Sequence, residues 1–594
     1  MTAPEPVHPY LDPALAPIQR ADDLVERMTL EDKAGLLFHT MIGMGPRGSL
    51  AGANEDFGLP STAEFVLGRR MTHFNLLGVL EDAREVAQWH NRLQDLAAST
   101  EPGIPVTLST DPRHHFTDNP GTAFNAGVFS QWPEPLGFAA LRSPELVERF
   151  ADAARQEYLA LGLRVALHPQ VDLATEPRWS RIGATFGEDA DLTSALAVAY
   201  VRGFQGAELG QESVSTMTKH FPGGGPQLDG EDPHFAYGRE QVYPGDNLEY
   251  HLKPFAAVIA AGGSQMMPYY GMPIDTDLEP VAFGFNRDVV TGLLRERFGF
   301  DGIVCTDWGL INDVEYLGQP MPARAWGVEH LTPVERVEKV LQAGCDQFGG
   351  EACPELVVEL VRSGRVSEDR IDVSVRRLLL EKFRLGLFDH RHLDVDAAVT
   401  VVGRPELVES GKDAQRRSHT LLTNRDELVP LSRGVAVYLE GVDPAAVQPY
   451  ARVVTDVVDA DVALVRLKAP YEARPGGFEA HFHAGSLEFP PTEVERLRAL
   501  CTTVPTIVDV YLDRPAILTE IAAEAAALLV SYGSSADAFA DVIFGVAQPE
   551  GRLPFDLPSS ARAVEESRSD VAFDTADPLF RFGDGLGHSN AVTS

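Results

Sequence analysis

Asp288-Val-Val-Thr-Gly-Leu-Leu-Arg-Glu-Arg-Phe298, followed by Gly302-Ile-Val-Cys-Thr-Asp307, is the stretch that decides the fold. Its first part spaces apolar residues along one face of a helix, and its second is a short apolar run that ends on a carboxylate. The same unit recurs outward on both sides. Towards the N-terminus, strands are predicted at Val106-Thr-Leu-Ser-Thr110, Arg164-Val-Ala-Leu-His168, Ser213-Val-Ser-Thr-Met-Thr218 and Ser264-Gln-Met-Met267. Helical spacing fills the gaps at 145–161, 191–204 and 248–261, and continues at 334–343 and 354–363. Strands alternating with helices of this length imply parallel β-α-β units.

The strand ends carry more information than the strands. They deliver Asp111, His168, the pair Lys219-His220, Tyr269 and Asp307. In an α/β barrel the active site lies at the C-terminal ends of the strands, so these five places read as one rim. The pattern breaks near Phe383-Arg-Leu-Gly-Leu-Phe-Asp389, and residues 390–398 read as a linker. A second alternating series follows, with strands at 435–439, 462–465, 506–510 and 527–531 and helices at 493–500, 517–523 and 537–544. The expectation is an α/β protein: an N-terminal (β/α)8 TIM-type barrel over residues 1–388, a linker over 389–415, and a C-terminal α/β sandwich with a doubly wound sheet over 416–594. No G-x-G-x-x-G follows a strand, so a dinucleotide site is not indicated.

Composition narrows the function classes. The chain has 594 residues, 44% apolar and 23% charged, as in an ordinary soluble globular protein. Fifty basic against 87 acidic residues give a formal charge of −37, which argues against nucleic acid and anionic membrane surfaces as partners. The four cysteines fit neither a metal-site spacing nor a disulfide framework. No secretory signal and no run of about 18 apolar residues is visible, so a cytoplasmic location is expected.

Several segments together resemble glycoside hydrolase family 3. Gly302-Ile-Val-Cys-Thr-Asp-Trp308 is similar to that family's nucleophile strand, and Lys219-His-Phe-Pro-Gly223 to its sugar-binding Lys-His motif. Glu176-Pro-Arg-Trp-Ser-Arg181, with Thr185-Phe-Gly-Glu-Asp189 after it, resembles the Asp-Pro-Arg-Trp-Gly-Arg segment. Ser418-His-Thr-Leu-Leu-Thr-Asn424 with Pro430-Leu431 resembles the entry into the second domain, and Gly551-Arg-Leu-Pro-Phe555 a segment near its end. The motifs stand in the family's order over about residues 25 to 560. The resemblance implies a barrel followed by an α/β sandwich, and a retaining, exo-acting β-glycosidase, a β-glucosidase before a β-xylosidase.

A retaining glycosidase needs two carboxyl groups, one nucleophilic and one acting as acid and then base, and no cofactor or metal. The resemblance makes Asp307 the nucleophile. It makes Asp111, Arg181, Lys219 and His220 ligands of the non-reducing sugar, with Arg178 ranked below them as a structural partner. Tyr269 is expected near the nucleophile, although Tyr270 is equally available, and Trp308 is expected to stack on a sugar face. The acid/base is expected on the loop after the strand Val462-Ala-Leu-Val-Arg-Leu467. Where a familiar family pattern has Glu, this chain has Lys468, which leaves Glu479 or Glu472 for the role. A further alternative is the loop Asp229-Gly-Glu-Asp232-Pro-His234, which resembles the β-N-acetylglucosaminidase branch, whose acid/base is an Asp-His pair. The spacing here is two residues longer, and Gly224 stands where that branch has His.

Two other classes compete. Lys219 at a strand end could form a Schiff base in an aldolase-like enzyme. Lys468 leaves room for a sugar-binding protein without catalysis. The expected partner is an oligosaccharide or small glycoside, with a homodimer left open.

Overall fold

The computed structural model describes residues 8–54, 58–316 and 319–587. Eight parallel strands run β1 (Phe38–Ile42), β2 (His73–Leu76), β3 (Thr107–Thr110), β4 (Leu163–Ala166), β5 (Ser215–Phe221), β6 (Gln265–Pro268), β7 (Ile303–Val304) and β8 (Phe348–Gly349). Their order is β7-β6-β5-β4-β3-β2-β1-β8. A parallel bridge between Cys305 and Gln347 joins the two ends, with Thr306 N–H donating to Gln347 O at 2.9 Å. The ring is closed, and the expected barrel is present.

Helices cover its outside, and their ends follow local chemistry. Pro144–Ala160 starts on Ser143, whose side chain accepts from Leu146 N–H, and Ala190–Gln205 starts on Asp189 in the same manner. Thr332 and Glu335 form a capping box ahead of Pro333–Ala343, and Gly344 ends that helix with φ 108°.

Val165, Leu167, Met217, Met267 and Cys305 form a small apolar cluster of their own, separate from the layer between strands and helices. These are the inward-facing positions of β4 to β7. Side chains alternate along a strand, so two residues beyond Met217, Met267 and Cys305 the inward positions are Lys219, Tyr269 and Asp307. Ser109, which meets His39 Nε2 at 2.7 Å across the barrel, sets the same phase for Asp111. His168 has the opposite phase to Leu167 and corrects the sequence-based rim. It lies among the helices, with Tyr200 Oη 2.5 Å from Nδ1 and Tyr158 Oη 3.3 Å from Nε2.

The second domain is a six-stranded sheet: β9 (Thr420–Asn424), β10 (Ala436–Glu440), β11 (Arg452–Val454), β12 (Val462–Lys468), β13 (Thr506–Tyr511) and β14 (Ala527–Ser531). The order is β9-β14-β13-β12-β10-β11, with β9 antiparallel to β14. The two faces separate by alternation. Val462, Leu464, Ile507, Ala527 and Leu529 pack in one core, while Ala463, Val465, Val508, Val510, Leu528 and Val530 join the cluster that continues into the barrel. Between the domains, residues 395–401 and 405–418 are helical. Among the described residues no helix is long and apolar enough to cross a membrane.

Candidate active site

The inward positions at the C-terminal mouth form one polar pocket. Lys219 Nζ donates to Asp111 Oδ1 at 3.2 Å, and Asn75 Nδ2 donates to Asp111 Oδ2 at 3.0 Å. The pair is nearly buried, with Asp111 6% and Lys219 5% exposed. Such a pair is held by mutual charge and hydrogen bonding, and each partner keeps further donor or acceptor capacity for a hydroxyl.

The strand register shifts between Lys219 and Phe221, so His220 leaves the ladder and also turns into the pocket. Asp172 accepts from His220 N–H at 3.2 Å, from His220 Nδ1 at 2.8 Å and from Gly224 N–H at 2.5 Å. Burial, with Arg181 and Lys219 nearby, pushes the His220 imidazole well below its usual range, so it is neutral. Its proton belongs on Nδ1, facing the carboxylate, which leaves Nε2 as an acceptor. Burial raises the Asp172 carboxyl to about 6 against three hydrogen-bonded N–H groups.

Asp307 is 7% exposed. Its Oδ1 accepts from Trp308 N–H at 2.8 Å, while Oδ2 lies 3.7 Å from His220 Nε2. One carboxylate oxygen is therefore anchored by the backbone, and the other is buried beside the His220 ring. Trp308 rests over Gly349 and Gly350, where a Cβ would come within 3 Å of its ring, and lies 5.4 Å from the His39 ring. Tyr270 Oη donates to Trp308 O at 2.7 Å, and the same side chain lies against the Asp307 carboxylate; burial, with that carboxylate's negative charge and hydrogen bonding, raises the phenol well above its usual range. Tyr269 stands against the His220 ring with centroids 4.4 Å apart.

Arg181 is buried, and its Nη2 donates to Gln170 Oε1 at 2.9 Å. Burial works to lower its pKa, but Tyr269, Asp232, Asp307 and Asp172 together raise it. Arg178 makes a bidentate pair with Glu176 at 2.8 and 3.0 Å and sits outside this group. Asp232 and His234 form a buried pair: His234 Nδ1 is 2.6 Å from Asp232 Oδ1, and Trp179 Nε1 and Ser180 Oγ donate to Oδ2 at 3.2 and 3.1 Å. Burial opposes charge on Asp232, yet His234 and Arg181 hold its carboxyl down to about 2. The His234 ring packs on Tyr270 at 4.7 Å.

The loop after β12 covers the mouth from the second domain. Phe482 and Phe478 lie 4.9 and 6.0 Å from the His234 ring, and Asn119 Nδ2 donates to His481 O at 3.0 Å. Arg474 pairs with Glu231 at 2.7 Å. Glu479 accepts from Tyr237 Oη on the barrel loop. Glu472 is exposed and accepts from Ser486 N–H at 3.2 Å. Of the two, Glu479 is the one joined to the barrel.

A carboxylate set among buried hydrogen-bonding groups at a barrel mouth, and covered by a second domain, suits glycoside chemistry. Family comparison agrees. "Glycosyl hydrolase family 3 N terminal domain" matches residues 65–380, and "Glycosyl hydrolase family 3 C-terminal domain" matches 388–588. The chain belongs to glycoside hydrolase family 3. Among relatives of this family 3 chain, "Probable beta-glucosidase C" of Aspergillus flavus is 56% identical over 98% of the chain and 93% of the relative. "Periplasmic beta-glucosidase/beta-xylosidase" of Dickeya chrysanthemi is 40% identical over 98% and 92%. A solved β-glucosidase from Erythrobacter marinus superposes with a TM-score of 0.80 at 21% identity, over 98% of this chain and 84% of that one. At that identity the likeness shows the fold alone.

Asn75, Gln170 and Asp172 hold site residues in ways that the sequence reading left unassigned, and Tyr270, there held equal to Tyr269, lies beside Asp307. Asn75 carried a signal: a polar residue at an inward position of a strand, two after His73. Asp172, six residues beyond β4, had none of that kind.

Proposed function

We propose that this family 3 glycoside hydrolase is a retaining, exo-acting β-glucosidase in which Asp307 forms the covalent glycosyl-enzyme. The observation that carries the reading is the divided environment of its carboxylate: Oδ1 is held by Trp308 N–H, while Oδ2 is buried 3.7 Å from His220 Nε2 with no backbone donor. Oδ2 attacks the anomeric carbon, and the leaving oxygen takes a proton from the second carboxyl group, which then activates water. Glu479 is the candidate for that group because it alone of the two loop glutamates reaches the barrel. Asp111, Lys219, Arg181 and His220 Nε2 offer the acceptors and donors that a hexose's hydroxyls need. All four are at most 6% exposed, which suits a terminal sugar entering end-on rather than a chain passing through. The relatives named β-glucosidase support glucose as the sugar.

A second assignment of the acid/base has one observation in its favour, the tight Asp232–His234 pair beside Tyr270. A His oriented by a carboxylate is a competent proton shuttle. Incubation with an activated 2-deoxy-2-fluoroglucoside, followed by peptide mapping, tests the main reading. The expected product is a fluoroglucosyl ester on Asp307; a label elsewhere, or none, overturns it. The ratio of activity on nitrophenyl glucoside to that on nitrophenyl N-acetylglucosaminide separates the two substrate classes.

A further inference from the structure

Arg514 lies in the turn after β13 and is 1% exposed. It makes no ion pair among the described residues. Its two terminal nitrogens donate instead to five backbone carbonyls: Nη1 to Arg178 O at 3.0 Å and Gly485 O at 2.9 Å, Nη2 to Pro470 O at 2.7 Å and to Ala484 O and Ser486 O at 3.0 Å each. Pro470 begins the loop that carries Glu472 and Glu479, and residues 484–486 end it. One guanidinium therefore pins both ends of that loop.

The carbonyl of Arg178 belongs to the barrel. The next three residues are Trp179 and Ser180, which hold Asp232, and Arg181 of the sugar pocket. The adjoining Asp513 packs on Gly183, where a Cβ would lie 3.1 Å from Asp513 O. Arg514 is thus a single rigid node shared by the acid-bearing loop and the sugar-binding segment. The planar fork is needed for this. A lysine ammonium has its three donors on a single nitrogen at the end of a flexible stem and cannot serve five carbonyls that Arg514 reaches from two separate nitrogens.

We infer that Arg514 is a positioning residue for proton transfer: it fixes the 471–483 loop against the barrel so that its carboxyl faces the leaving oxygen. The inference rests on the proposal that this loop supplies the acid/base. A loosened loop misplaces the acid but leaves Asp307 and the sugar pocket intact. The effect must then fall on substrates whose leaving group needs a proton.

The test compares Arg514→Lys, Arg514→Gln and Glu479→Ala with the parent on dinitrophenyl, nitrophenyl and phenyl β-glucosides, with thermal unfolding followed in parallel. In Arg514→Lys, kcat/KM on the phenyl glucoside should fall about 100-fold, as expected for displacement of a catalytic group by about 1 Å. The loss on the dinitrophenyl glucoside should be several-fold at most, and the inhibition constant of gluconolactone unchanged. Arg514→Gln, which keeps a planar donor group, should show the same selective loss on the phenyl glucoside, smaller in size, and carries the test where Arg514→Lys folds poorly. An equal loss on all three glucosides overturns the role, as does a lowered Tm with unchanged kcat. Steeper leaving-group dependence in Glu479→Ala but not in either Arg514 variant also overturns it. The reverse pattern keeps Arg514 and moves the acid to another group of the loop.

Discussion

Asp307 Oδ2 lies buried 3.7 Å from His220 Nε2, while Asp172 accepts a hydrogen bond from the opposite ring nitrogen at 2.8 Å. A neutral imidazole turned this way offers the carboxylate oxygen no proton. Nε2 is left as an acceptor on the side that faces Asp307.

Asp307→Ala and Asp307→Asn should therefore lower kcat on the order of 10,000-fold or more, because a covalent step is lost. Trp308 N–H loses its acceptor in Asp307→Ala and can keep one in the Asn amide oxygen, so Tm should change by only a few degrees in either. Steady-state kinetics with differential scanning calorimetry checks both. Turnover within tenfold of the parent would remove Asp307 from the nucleophile's place.

Glu479→Ala should lose about 100- to 10,000-fold on nitrophenyl glucoside, the usual contribution of a general acid/base. Added azide should restore turnover and yield β-glucosyl azide. Glu472→Ala should stay within a few-fold of the parent and gain nothing from azide. Azide rescue of Glu472→Ala in place of Glu479→Ala would reverse the assignment, and rescue of His234→Ala would shift it to the barrel loop.

Asp111→Asn keeps the shape of the pocket but removes the charge opposite Lys219. The buried ammonium is then uncompensated, and a sugar hydroxyl loses a charged acceptor. The expected loss is roughly 100- to 1,000-fold in kcat/KM, carried more in KM than for Asp307 variants. The matching Lys219→Met should cost a similar amount, and the double variant less than the sum. Additive losses would show that the two side chains act independently.

Glu381 sits at the opposite end of the barrel, accepting from Gln265 Nε2 at 2.5 Å and Ser215 Oγ at 2.9 Å. Burial raises its carboxyl from 4.5 to about 7. A carboxyl raised in the folded state binds its proton more tightly there than in the unfolded chain. Its contribution is complete below about pH 4.5 and is lost as pH rises through 7, worth up to about 3 kcal/mol. Glu381→Gln should therefore gain a few degrees of Tm over the parent at pH 8.5 relative to their difference at pH 5, with kcat unchanged at either pH. A pH-independent difference would show that Glu381 is ionised throughout.

The barrel and the sheet behind it were largely legible because apolar strands alternating with helices repeat a simple period. Asp111, Lys219, Tyr269 and Asp307 could be read off strand ends for the same reason. The first two barrel strands escaped notice because His39, His73 and Asn75 occupy positions where an apolar residue is expected, and β8 is only two residues long. His168 was misplaced by phase: one residue of register moves a side chain from the mouth to the helical layer.

The sequence by itself determined the family, the two α/β domains and the carboxylate that ends β7, because these depend on local periodicity and on contiguous motifs. Only the tertiary structure decided which oxygen of Asp307 the backbone holds, that Asp172 orients His220, and that Glu479 rather than Glu472 meets the barrel. It alone brought Arg514 to the carbonyls of Arg178 and the 470–486 loop. Those relations join residues up to hundreds of positions apart, and they exist only after burial forces each buried donor to find an acceptor wherever the packed chain presents one.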